Sequence, residues 1–387
     1  MKLSKSVNRL GTEAVYNIFA KTKKLIKEGK EIIDLSLGQS DFKSPKHAVD
    51  AAIKALEDGH HGYTLPNGII ECREAVSRKI KSLYKANIKP ERIIIMPGGK
   101  PTMHYAISFF GEPGAEIIYP DPGFPIYESM INFTGANAIP YDMTENKDFS
   151  INPKKILSLI NEKTRLLILN NPHNPTGGFT KKKVIDELVS GLKKFPNLAI
   201  LSDEVYDRLI FDEKEIPTLL NYPDLYDRLI VLNGWSKTYA MTGWRLGWGV
   251  WPEKLVEHVF KFCVNNHSCV NTPAQYGAIA ALDGPENHLK DMMEEFSFRR
   301  KLIFDGLRSL KGIDCSLPGG SFFVFPNVKG TGMNGEEFTN RCLTEAGVAV
   351  IPGVAFGKFA TDNVRLNFAT SRENISKAIE KIDKILK

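Results

Sequence analysis

The chain has 387 residues, 42% of them hydrophobic, 10% aromatic and 25% charged, and 51 basic against 45 acidic side chains leave a formal charge of +6. This balance excludes a disordered or collagen-like chain, and the dispersal of the lysines among acids gives no support to nucleic-acid binding. The 5 cysteines, Cys72, Cys263, Cys269, Cys315 and Cys342, form no CxxC pair, which argues against a disulfide framework or a zinc ribbon.

In chain order, the opening MKLSKSVNRL lacks the apolar core of a signal peptide, and no run approaches the roughly 20 apolar residues of a membrane span. A reducing cytoplasm is the expected compartment. The basic stretch from Lys21 to Glu31 encloses Leu25 and Ile26 and reads as a solvated helix face. An extended IIDLSLGQSDF follows. Short apolar runs at Arg92 to Met96, Glu116 to Tyr119, Leu166 to Asn170, Leu198 to Ser202 and Leu229 to Leu232 each predict a buried strand. Segments with helical spacing lie between most of them, such as Lys181 to Lys194, which ends before Pro196. That alternation predicts right-handed crossovers, an α/β class and a mainly parallel sheet. After about residue 285 a charged helix, DMMEEFSFRRKLIFDGL, leads into the short strands SFFVF, GVAVI and VRLNFA. Residues 46–285 are expected to form a large domain, with 1–45 and 286–387 joining in a smaller, discontinuous α+β domain.

In open α/β sheets ligands gather where strand carboxyl ends open into loops. The unusual residues do follow the strands: MPGGK, PDPGF, NNPHNPTGG, DEVY and NGWSKT succeed the five runs in turn. None is a Walker phosphate loop, because Ile94 stands at the first glycine position before Gly99-Lys100 and Pro101 follows the lysine, while Lys237 follows Ser236. Adjacent Ser236 and Lys237 also lack the SxxK spacing of a Ser-Lys hydrolase. A desolvated lysine at a strand-end turn is a different matter, since loss of hydration disfavours its ammonium form and leaves a nucleophilic amine able to form a Schiff base with an aldehyde. Lys237 stands in such a turn, among Trp235, Tyr239 and Trp244, and Arg245 in TGWRLGW offers a fixed cation for a phosphate.

The string SKTYAMTGWRLG, together with PGGK, PDPGF, NNPHNPTG, LSDEVY and VRLNFA in the family's order, resembles the class I and II aminotransferases, the fold-type I family that depends on pyridoxal 5'-phosphate. The likeness covers nearly the whole chain. It implies that Lys237 carries the cofactor and then shuttles the proton of the 1,3-shift. Such a cofactor draws electrons only if its ring nitrogen stays protonated beside an anion; Asp203, by itself a helix N-cap, would supply it. Tyr206 and Asn174 would meet the ring oxygen, with His173 in the same loop serving as scaffold. Gly98, Gly99 and Lys100, between a strand and the helix MHYAISFF, would seat the phosphate at a helix N-terminus. Ser236 and Arg245 would add side-chain contacts. The likeness also implies that Tyr63 reaches the phosphate across a homodimer interface and that Phe124 stacks on the ring. Gly38 would let backbone approach the substrate, and Arg365, on a strand otherwise read as carrying a surface ion pair, would take the substrate α-carboxylate. Gly234 departs from those branches that place a phosphate-binding hydroxyl there.

The implied activity is transfer of an amino group between an L-amino acid and a 2-oxo acid by ping-pong chemistry. Aspartate or glutamate is the first expected donor, and an aromatic amino acid or kynurenine the second. A second cation for a dicarboxylate is not located, with Lys100 and His267 as candidates. A lyase, decarboxylase or oxidase on the same anchors stays open, as does a non-catalytic sensor of the cofactor's amine adducts, against which intact Lys237, Asn174 and Arg365 count.

Overall fold

The computed structural model describes residues 1–11, 14–213 and 215–387. Its strands are β1 (Ile33–Asp34), β2 (Ile93–Met96), β3 (Glu116–Asp121), β4 (Asn137–Asp142), β5 (Thr164–Asn170), β6 (Ala199–Asp203), β7 (Leu229–Gly234), β8 (Gly247–Val250), β9 (Phe323–Val324), β10 (Val348–Ala349), β11 (Ile351–Pro352) and β12 (Val364–Asn367). Among the described residues, seven of these form the central sheet in the order β2-β8-β7-β6-β5-β3-β4. Pairing is parallel from β7 through β4. β8 runs antiparallel to both neighbours.

The strand runs are apolar without alternation because helices cover both faces. Ile93, Ile95, Leu167, Leu169, Ile200 and Val231 bury into one hydrophobic cluster. The residues between them, Ile94, Met96, Ile168, Leu201, Ile230 and Leu232, bury into another on the opposite face. Full burial of each such side chain contributes about 1.5–3 kcal/mol relative to exposure, so the two-sided core dominates what holds the sheet.

A separate cluster joins Ile33 and Leu35 to Phe296, Ile303, Phe322, Val348, Leu366, Phe368 and Ile382. Here β1 pairs in parallel with β10, and β12 pairs antiparallel with β11 and β9. Chain before residue 46 and chain after residue 286 therefore bury one another. The run GVAVI, expected as one strand, is two: Val348–Ala349 serves the sheet with β1, and Ile351–Pro352 turns to β12. The predicted helix Lys181 to Lys194 spans Lys182–Leu192. Sequence reading did not anticipate β4, whose polar and Pro-containing NAIPYD sits on the sheet edge, nor the glycine-rich β8.

Candidate active site

The carboxyl ends of β5, β6 and β7 lie side by side, and β2 lies beyond β8. Because β8 alone runs backward, its amino end opens at the same rim, and this brings Arg245 to the site. The rim together with Phe323 on β9 and Arg365 on β12 lines a cavity of about 480 Å³. Gly38, Gly99, Lys100, Phe124, Asn174, Asp203, Tyr206, Ser236, Lys237, Arg245 and Arg365 all line it. A larger cleft of about 1090 Å³, beside Tyr84, Arg208 and Tyr226, lies elsewhere. Its lysine, Lys85, is exposed.

Lys237 Nζ donates to the Gly38 carbonyl at 2.5 Å. Desolvation, reinforced by the positive charges of Arg365 and Arg245 and opposed by Asp203, lowers its pKa from 10.5 to about 8. A minor fraction of the amine is then neutral near pH 7, far more than for an exposed lysine, and only that form is nucleophilic. The rings beside Nζ are Phe322 at 5.5 Å and Tyr206 at 5.6 Å. They are not the three aromatics expected from the local sequence. Trp235 is fully buried and donates its indole N–H to the Ala278 carbonyl, and Trp244 donates to Ser44 Oγ, so these two brace the turn from behind, while Tyr239 joins the core. Gly234 is required by packing, since a Cβ there would lie 2.8 Å from Gly247 Cα on β8.

Asp203 is 5% exposed. Burial raises its pKa to about 6, while hydrogen bonds from Tyr127 and Val205 and the Lys237 charge hold it down. Tyr127 Oη donates to Oδ2 at 2.7 Å, and the Val205 N–H to Oδ1 at 3.2 Å. Tyr206 is buried, and its phenol is pushed above its ordinary value by burial. Asn170 ties the next loop down: its Oδ1 accepts from the Asn174 N–H at 3.0 Å and its amide donates to the Asp203 carbonyl at 3.0 Å. His173 is buried with Nδ1 2.8 Å from Thr176 Oγ1, and burial lowers its pKa to about 3, so it stays neutral.

Two cationic ends complete the cavity. At one, the helix Lys100–Phe110 starts directly after Gly98 and Gly99. Gly98 has φ +89°, and a Cβ there would fall 2.2 Å from Arg245 Nη2, so only glycine leaves this cradle open. Arg245 is itself fixed by donating Nη1 to the Thr242 carbonyl at 2.7 Å. At the other end Arg365, 4% exposed, donates to Asn174 Oδ1 at 3.0 Å and to the Ser36 carbonyl at 2.6 Å. Its guanidinium lies 4.4 Å from the Phe323 ring centroid and 4.6 Å from that of Phe356.

Two of the expected residues stand apart. Tyr63 is 94% exposed and absent from the cavity wall. His267 also lies outside it, with Nδ1 3.3 Å from Tyr105 Oη. Sequence reading overlooked Asn170, Tyr127, Phe323 and Phe356. Only Tyr127 had a readable signal, three residues after Phe124 at the start of a helix and hence on the same face.

A cavity with a desolvated lysine, a buried carboxylate opposite, a glycine cradle beside one arginine and a second, desolvated arginine suits an aldehyde-bearing phosphate ester plus a carboxylate substrate. The profile of the family Aminotransferase class I and II matches residues 30–382. A probable aspartate aminotransferase of Methanocaldococcus jannaschii is 37% identical over 92% of this chain and 93% of its own length. An aspartate aminotransferase of Bacillus subtilis is 32% identical over 100% and 99%. The crystal structure of the aspartate aminotransferase from Rhizobium meliloti superposes with a TM-score of 0.95 at 28% identity, covering 100% of this chain and 99% of that one. The chain therefore belongs to the class I and II aminotransferase family and is an enzyme of the transaminase type.

Proposed function

We propose that this aminotransferase uses pyridoxal 5'-phosphate and moves the amino group of aspartate to a 2-oxo acid, with glutamate as the related donor. The observation that carries the reading is the convergence of Lys237, Asp203, Asn174, Arg245 and Arg365, from separate chain segments, on one cavity of about 480 Å³. When bound, the cofactor would supply a carbonyl that condenses with amines and a pyridinium that withdraws electrons from the substrate Cα.

The chain's own residues would do the rest. Lys237 Nζ takes the proton from the substrate Cα, a task that suits an amine poised near pH 8. Asp203 would hold the proton on the ring nitrogen, and Tyr206 and Asn174 would hold the ring oxygen. Gly98, Gly99 and the backbone N–H of Lys100 at the helix N-terminus, with Ser236 and Arg245, would hold the phosphate, while Phe124 would cover the ring and keep water out. Arg365, with Asn174, would bind and orient the α-carboxylate, and Gly38 would give the substrate room.

For the distal carboxylate, Lys100 is favoured over His267 because it lines the cavity, with Nζ 5.3 Å from the Phe124 ring centroid. That the relatives are aspartate aminotransferases supports aspartate as donor. The proposed unit is a homodimer in which Tyr63 completes the partner's phosphate site, a role in keeping with its exposure. The two-domain division at residues 46 and 286 agrees with the separate hydrophobic clusters. Cytoplasmic residence is proposed from the five unpaired cysteines. Among the described residues no helix is long and apolar enough to cross a membrane.

The test is an amino-acid panel against 2-oxo acids with product analysis. Aspartate should be consumed together with the oxo acid, with no ammonia or carbon dioxide released. Preference for aromatic donors would overturn the substrate assignment, and ammonia release would replace transamination with a lyase or oxidase reaction.

A further inference from the structure

Asp203 is the one carboxylate among the described residues that line the cavity. What faces it is therefore decisive for the charge felt by a bound ring. Tyr127 lies in the first turn of the helix Ile126–Thr134, where its N–H donates to the Phe124 carbonyl at 3.0 Å. This local bond sets the two side chains on one face. The Tyr127 ring meets Phe124 edge-on, with centroids 5.9 Å apart and planes at 86°, and its hydroxyl donates to Asp203 Oδ2 at 2.7 Å. One fully buried residue thus touches both the ring expected to cover the cofactor and the anion expected to keep its ring nitrogen protonated.

We propose that Tyr127 is a positioning residue of the reaction, whose hydroxyl fixes the Asp203 carboxylate toward the cofactor's ring nitrogen while its ring edge sets the plane of Phe124. This rests on the reading of Asp203 and of the cofactor given above. A hydroxyl that donates to a buried carboxylate stabilises its ionised form against the cost of desolvation. Burial and the Asp203 charge push the Tyr127 phenol well above its ordinary value, so it keeps its proton and remains a donor near neutral pH. Other titratable groups around the pair are Lys237 after β7, Tyr206 on the loop after β6 and Tyr141 on β4, with Arg365 beyond Tyr206. Among these, Tyr127 donates the side-chain hydrogen bond to the carboxylate.

The experiment compares holoenzyme of the wild type, Tyr127→Phe and Asp203→Asn by two readouts: the pH midpoint of the visible band of the bound cofactor, and the nitrogen-15 shift of cofactor labelled at the ring nitrogen. Tyr127→Phe keeps the ring contact with Phe124 but removes the donor. Its midpoint should rise by about one pH unit, with the ring-nitrogen resonance moving toward the unprotonated form. A purely structural role would lower thermal stability and leave both readouts in place, which would overturn the proposal. Asp203→Asn should move both further in the same direction. If Asp203→Asn moves them and Tyr127→Phe does not, the role of Tyr127 alone fails. If neither variant moves them, or the wild type takes up no cofactor, the underlying reading fails with it. Should Tyr127→Phe not fold, 3-fluorotyrosine at position 127 serves instead. As a stronger donor of the same shape it should lower the midpoint, and no shift would reject the proposal.

Discussion

Asn174 Oδ1 accepts a hydrogen bond of 3.0 Å from Arg365 Nη1, joining side chains 191 residues apart on the loop after β5 and on β12. The pair closes the cavity between the central sheet and the smaller one. With the Phe323 and Phe356 ring centroids at 4.4 and 4.6 Å and only 4% of the residue exposed, the guanidinium is held against two aromatic rings and poorly hydrated. Such an arginine is prepared for a bidentate carboxylate before substrate arrives.

Arg365→Lys should therefore behave as a severe change although the charge survives. A lysine offers neither the planar fork nor a stacking face. Loss of about 2–3 kcal/mol, roughly 30- to 150-fold in kcat/KM for every α-amino acid donor, is expected from steady-state kinetics. Unchanged efficiency would remove Arg365 from the carboxylate site.

Lys237→Met should abolish turnover, and it also makes a thermodynamic prediction. The folded protein binds the Lys237 proton only up to about pH 8, the unfolded chain up to 10.5. Between these values the unfolded state holds more protons, so this group makes stability rise with pH across the window. Urea midpoints of the cofactor-free proteins should show Lys237→Met more stable than wild type below pH 8, with the gap closing as pH rises toward 10.5. A pH-independent gap would contradict the desolvation argument.

A second pH effect belongs to Glu204, which neighbours Asp203 but faces away from the cavity. It is 3% exposed, accepts from Ser202 Oγ and the Leu219 N–H, and is raised by burial from 4.5 to about 7. Here the folded state holds the proton longer than the unfolded chain, so stability is lost as pH climbs from 4.5 through about 7. Glu204→Gln should flatten that part of the denaturation profile, and an unaltered slope would assign it to other groups.

Lys100→Met should separate dicarboxylate from other donors. If Lys100 meets the distal carboxylate, kcat/KM for aspartate falls by about tenfold or more while that for an aromatic amino acid is little altered. An equal fall for both would return Lys100 to the phosphate end of the cavity alone.

Much of this architecture is legible one segment at a time. Ile93 to Met96 or Leu229 to Leu232 read as strands buried on both faces, because every residue is apolar and β-branched residues occur in each run. Gly98-Gly99-Lys100, Asn174, Asp203 and Lys237 are visible as breaks in that apolar pattern where a strand ends. Those signals are local, set by backbone propensity and side-chain period over a few residues. Which groups become neighbours is decided by packing between distant elements. The reversal of β8 delivers Arg245 to a rim otherwise built from parallel strands. Phe322 and Tyr206, rather than Trp235, Tyr239 and Trp244, flank the Lys237 amine, and Phe323 and Phe356 pack against Arg365. Tyr127 comes to rest against Asp203. No interaction between adjacent residues encodes these contacts, and the charge states of the site depend on them because desolvation and Coulomb forces act across space rather than along the chain.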